Sequence, residues 1–218
     1  MFDSLFGKRP APPAPPSGPA LPLGFRLGGA VAIDDVVFKA HPGAYAFDPP
    51  AGNQIIEALG LLDLGGGSHL FRLYLTDDAW IQISTTSGAI DDLKLFVFAD
   101  TRNPATKDDF VRWTQTGSEL GSPQITFGNK TYLRVWGDPP ASGTWSPPIA
   151  VDESVTHPAG GEEDFDLTHY SMLYQREVPE LPGRMEYLFV TAEDYGPDHF
   201  DVVYSLGSDI TTADLSIT

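Results

Sequence analysis

The residues with most chemistry to offer lie between positions 157 and 169. The acidic run Gly160-Gly161-Glu162-Glu163-Asp164-Phe165-Asp166 has His157 ahead of it and His169 behind it. Carboxylates on a loop can supply the roughly six to eight oxygens that Ca²⁺ prefers, and Asp166 and His169 could meet on a transition metal. The run lacks the alternating Asp/Asn spacing and terminal Glu of an EF-hand loop, and in an acidic chain it also reads as a solvated loop. The candidate metal ligands are therefore His157, Glu162, Glu163, Asp164, Asp166 and His169.

His199 and Asp201 share one face of a regular strand, which sets a base beside an orienting carboxylate. No serine, cysteine or lysine nucleophile can be tied to them, and a histidine at a hairpin mouth is also an ordinary structural residue. No residue is assigned a catalytic role on this basis, and no cofactor is expected. Gly128-Asn129-Lys130 lacks the upstream glycine and the following hydroxyl of a P-loop, and Gly117-Ser118-Glu119-Leu120-Gly121 ends a helix where a nucleophile elbow would start one.

Trp136 and Trp145 bracket a loop rich in glycine and proline, Gly137 to Ser146. Indoles offer a large rigid contact surface with one N–H donor, so this loop, with Trp80, is the candidate ligand or partner contact. The competing reading folds both indoles beneath the loop as a satellite core.

These residues are positioned by strands. Phe71, Leu73 and Leu75 alternate with Leu70, Arg72 and Tyr74, and Ile81 and Ile83 alternate with Trp80, Gln82 and Ser84, the pattern of half-buried antiparallel strands joined at Thr76-Asp77-Asp78. Leu93 to Val97 and Leu133 to Val135 repeat it. The C-terminal part reads as a meander: Tyr170 to Val178, Arg184 to Thr191 and His199 to Leu206, with turns at 179–183 and 193–198. One helix is expected after Thr106, which can cap it, with Asp108 and Asp109 in its first turn and Gly117 at its end. A second short helix is expected over Asn53 to Gly60. The fold class is mainly β, or strand-dominated α+β: an antiparallel sandwich or open-barrel-like domain with one or two short helices.

The chain has 218 residues, with 13 Lys+Arg against 30 Asp+Glu, a net charge of −17 and no cysteine. Such a field repels nucleic acid and anionic lipid, and the absence of thiols removes disulfides, thiolate metal sites and cysteine nucleophiles. No apolar run approaches the ~18 residues of a membrane span and no signal peptide is read, so a cytoplasmic location is expected. Residues 1–20 hold an apolar tip, Phe2, Leu5 and Phe6, on a Pro-rich disordered linker; residues 21–218 form a single strand-rich globular domain. The tip is either a docking anchor or a frayed terminus.

Ile56 to Gly67, followed by Leu70 to Leu75 and Trp80 to Ile83, resembles the YjfK-like family of uncharacterised bacterial proteins, as do Met172 to Arg176 and Glu186 to Phe189. The resemblance spans roughly Leu21 to the C-terminus and carries no catalytic residues. It implies a bacterial cytoplasmic protein, often encoded beside phage-shock-type coiled-coil proteins and small membrane proteins. The resulting expectation is a non-enzymatic protein-interaction module acting with a membrane-stress or envelope-linked protein set. The partner is a protein from a membrane-associated context. Two alternatives stay open: a metal-dependent hydrolase using the acidic/His loop, and a small-ligand or carbohydrate-binding β-domain using Trp136, Trp145 and Trp80.

Overall fold

The computed structural model describes residues 19–159, 161–196 and 199–218. Phe2, Leu5 and Phe6 lie outside the described residues. The first half of the chain contributes β1 (Ala30–Ile33), α1 (Val36–Ala40), β2 (Asn53–Gly65), β3 (Ser68–Leu75), β4 (Ala79–Thr86), β5 (Ala89–Arg102) and α2 (Lys107–Thr114). The second half contributes β6 (Gln124–Phe127), β7 (Lys130–Arg134), β8 (Ile149–Thr156), β9 (Phe165–Glu177), β10 (Met185–Asp194), β11 (Phe200–Asp209) and β12 (Leu215–Ile217).

Antiparallel pairing runs β2-β3-β4-β5-β11-β10-β9, and β8 bonds to both β9 and β2, which closes a barrel of eight strands. The mainly β antiparallel fold expected from the sequence is therefore present, with the sheet closed. Closure leaves the barrel strands no free edges, and eight strands enclose an interior wide enough for side chains and one small ligand. β1 pairs with β12 and with the start of β2, while the β6–β7 hairpin joins the far part of β9.

The barrel wall is buried on both faces. Outside β2–β5, Phe71, Leu73, Ile81, Ile83 and Leu95 pack against Val31 and Ile33 of β1 and against Phe25. Outside β9–β11, Tyr174, Leu188 and Tyr204 pack beneath Phe110 of α2 and Ile125 and Tyr132 of β6–β7. The face opposite these cores, which the alternation assigns to solvent, is the lumen. This explains why β10 is buried continuously from Glu186 to Glu193.

Two local expectations meet different outcomes. α2 forms after Thr106, whose side chain accepts the Asp109 amide at 3.1 Å. Asn53 to Gly60, expected as helix, is the start of β2, in which Gln54, Ile56, Ala58, Gly60 and Leu62 alternate as buried positions. The period was concealed because the buried positions include Gln54, Ala58 and Gly60 while Ile55, Leu59 and Leu61 stand between them. Outer-face packing and ladder bonds override the helix-forming Glu-Ala-Leu composition. The second helix among the described residues is α1.

Candidate functional site

The lumen is recognised by contacts that join strands far apart in the ring. Trp80 of β4 stacks on Phe96 of β5 at 4.4 Å and meets Phe189 of β10 edge-on at 5.6 Å. Arg72 of β3 lies over the rings of Trp80 and Phe189 at 5.0 and 5.3 Å, and its Nη1 donates to Glu153 Oε2 of β8 at 2.6 Å. His169 Nε2 also meets Glu153 Oε2, while its Nδ1 lies 3.1 Å from Thr191 Oγ1 and 3.4 Å from Glu193 Oε1. Tyr74 donates to the other Glu153 oxygen at 2.8 Å. Arg72, Glu153 and His169 are all buried, with Glu153 fully so.

Local sequence makes room for this carboxylate. A Cβ on Gly60 of β2 would stand 1.6 Å from Glu153 Oε1, so the bare glycine lets the buried acid lie against the wall. At one end the lumen is filled by Phe96 and Tyr187 and by Lys94, which binds Asp209 at 2.6 Å and Asp92 at 2.7 Å. At the other it holds a cavity of about 780 Å³ to which every barrel strand contributes a side chain. Trp80, Phe189, Arg72 and His169 line its floor, and the exposed Ile55, Phe98 and Phe165 stand at its mouth.

Burial and the Arg72 charge push the His169 pKa down, but hydrogen bonds to Glu153 and Glu193 outweigh them and leave it raised. Burial pushes Glu153 up, but Arg72 and His169 outweigh it and hold the acid below the usual carboxylate range. The floor thus sets Arg72 and His169 against Glu153 and Glu193. Glu153, His169 and Thr191 have the connectivity of a carboxylate–imidazole–hydroxyl relay. Both imidazole nitrogens face carboxylate oxygens, Nε2 at Glu153 and Nδ1 at Glu193, so neither stands free as a base to activate Thr191. Two N–H groups, Trp80 Nε1 and Arg72 Nε, are buried at this floor without a partner. Both are donors only, so what they lack is an acceptor.

The residues expected to bind metal are spread by the fold. His169 is in the lumen, whereas Asp166 is exposed on β9 and accepts Ser154 Oγ at 2.6 Å. His157 lies at the cavity mouth, 3.7 Å from Glu162, and its amide donates to Asp164 at 2.8 Å; Glu163 is exposed. No cluster of three or more metal-ligating side chains occurs among the described residues. His199 is exposed and stacks on Tyr195 at 4.5 Å, with Nε2 3.6 Å from Asp201, which lines the cavity. Two of the three tryptophans share a neighbour: Trp80 in the lumen and half-buried Trp136 both meet Phe189 edge-on, at 5.6 and 6.1 Å, whereas half-buried Trp145 lies apart and donates to the Leu120 carbonyl at 2.9 Å.

Sequence reasoning passed over Arg72, Glu153, Thr191 and Glu193. A signal for Glu153 was present: Val151 and Val155 share its phase on β8, so a strand buried through those valines carries an acid inward. The same phase argument links Arg72 to Tyr74.

The family described as "Protein of unknown function (DUF2491)" matches residues 1–216, so the match takes in the N-terminal tip and linker that the resemblance had left out. The "Uncharacterized protein YjfK" of Escherichia coli (strain K12) is 29% identical over 225 residues, covering 100% of this chain and 98% of that protein. No solved structure matches. With nearly its whole length matched, the chain belongs to the DUF2491 family.

Proposed function

We propose that this protein is a small-molecule-binding barrel, with the ligand held in the lumen. The observation that carries the reading is the cavity of about 780 Å³, open at one end and floored by buried N–H donors that the protein leaves without acceptors. Ligand sites are typically pockets of roughly 300–1,000 Å³, mostly apolar with a few placed polar groups. The wall fits that description, and the pairing of both His169 nitrogens with carboxylates supports binding over catalysis. The test is titration with the neutral dye N-phenyl-1-naphthylamine, alongside mass spectrometry of small molecules released from the purified protein. Dye fluorescence should rise with the native chain and stay low with Val203→Trp, which fills the lumen. An absence of both dye binding and any released molecule would count against the reading.

A second reading, a partner-binding role for the Pro-tethered tip within a membrane-linked protein set, is supported by the family match extending over residues 1–20. Removing those residues should leave the melting temperature unchanged and weaken recovery of a membrane-associated protein partner. Equal recovery by both chains would remove this reading.

A further inference from the structure

The charge of the cavity wall narrows the ligand, on the premise that the cavity is the binding site proposed above. Four acids line it, Glu57, Glu162, Glu193 and Asp201, against one arginine, Arg72, and two histidines, His169 and His157, the latter 3.7 Å from Glu162. Arg72 is already paired with Glu153, and Glu193 with His169. The mouth is left with an excess of acid: Asp201 is held by the neutral Asn103 amide, with the exposed His199 3.6 Å away, and Glu57 is exposed. Inside a low-dielectric barrel this field opposes an entering anion and favours a cation. The apolar mouth includes Phe98, Phe165 and Tyr195, and aromatic faces attract cations more strongly once water is displaced. At the floor, the unpartnered Trp80 Nε1 and Arg72 Nε call for an oxygen acceptor.

We infer that the lumen binds a cationic amphiphile: an amine or quaternary ammonium at the acidic aromatic mouth, an apolar body along the barrel, and an uncharged oxygen acceptor at the floor. The experiment is calorimetric titration of the full chain, below micelle formation, with decyltrimethylammonium, decanol, decanoate and (10-hydroxydecyl)trimethylammonium. Decyltrimethylammonium should bind at least ten-fold more tightly than decanol, with decanoate weakest. The terminal hydroxyl should add several-fold in the native chain and nothing in Trp80→Phe. Asp201→Asn should narrow the ammonium advantage while leaving decanol unchanged, and Glu57→Gln at the exposed rim serves the same purpose if that variant does not fold. Val203→Trp keeps every charge and should abolish binding; ammonium binding that survives it is attraction to the acidic surface and overturns the inference. Decanol or decanoate binding as tightly as the ammonium would overturn the ligand class and leave the cavity reading standing. Failure of all four ligands and of the neutral dye would remove the cavity reading itself.

Discussion

Glu153 and Glu186 are both fully buried carboxylates paired with an arginine, one inside the barrel and one on its outer face. Glu186 receives Arg176 and Tyr132 on one oxygen and the Ala46 amide on the other, while Arg176 Nη2 donates to the Ala44 carbonyl at 3.0 Å. These bonds pin the segment carrying Tyr45 and Phe47, whose rings pack with Phe38 of α1. Every partner there is protein, and the cluster is closed. Around Glu153 the carboxylate is equally well met, yet Arg72 Nε and the neighbouring Trp80 Nε1 have no acceptor and the cluster borders open space. A native fold seldom leaves buried donors unmade, so the difference sets a closed structural strap apart from the floor of the proposed binding cavity.

The largest expected effect comes from deleting the lumen acid. Glu153→Ala leaves Arg72 charged and buried, and removing one partner of a buried pair costs about 3–5 kcal/mol. Urea unfolding should show that loss; a change under about 1 kcal/mol would mean that the lumen is wet enough to solvate the arginine. Glu186→Ala should cost less, about 1–3 kcal/mol, because Arg176 keeps the Ala44 and Glu177 carbonyls as acceptors while the Ala46 amide loses its own. It should also leave dye binding in the lumen intact, and loss of binding would show that the two regions are coupled.

Removing one hydroxyl from each cluster sharpens the contrast. Tyr132→Phe leaves its Glu186 oxygen still bound by Arg176, so about 0.5–1.5 kcal/mol is expected. Tyr74→Phe strips Glu153 Oε1 of its hydrogen bond, and the unmet acceptor should cost about 1–3 kcal/mol unless cavity water replaces it. Near-equal values would therefore report water in the floor, which a tight ligand should displace.

Much of the wall was legible from the sequence, since β3, β4 and the β9–β11 meander follow the period-two runs and their turns fall at Thr76-Asp77-Asp78 and near Pro179. Closure was not legible: it depends on β8 pairing with β2 through Leu59↔Thr156, a contact between segments nearly a hundred positions apart with no local signature. That one pairing turns the apparent solvent face into a lumen. It gives Arg72 and Tyr74 an interior and carries Glu153 to them. The acidic loop attracted notice because its charges are adjacent in sequence, whereas the lumen cluster is drawn from β3, β8, β9 and β10 and has no spacing to recognise.

The smallest expected effect is the pH dependence that distinguishes the two clusters, because titration alters a charge without deleting a side chain. His169 has a folded pKa above its ordinary value of 6.5, since its bonds to Glu153 and Glu193 outweigh burial and the Arg72 charge. Its contribution is fully present below pH 6.5 and is lost as pH rises through the folded value. Glu153 has a folded pKa below 4.5, since Arg72 and His169 outweigh burial, so its contribution is present above pH 4.5 and is lost as pH falls through the folded value. Both contributions are therefore complete between pH 4.5 and 6.5. The stability difference between the native chain and His169→Gln should be level up to the top of that window and shrink above it, with the Tyr132→Phe difference as a comparison from a cluster that holds no imidazole. A His169→Gln difference that grows with rising pH would mean the imidazole is neutral in the folded barrel, and would reopen Glu153–His169–Thr191 as a working base relay.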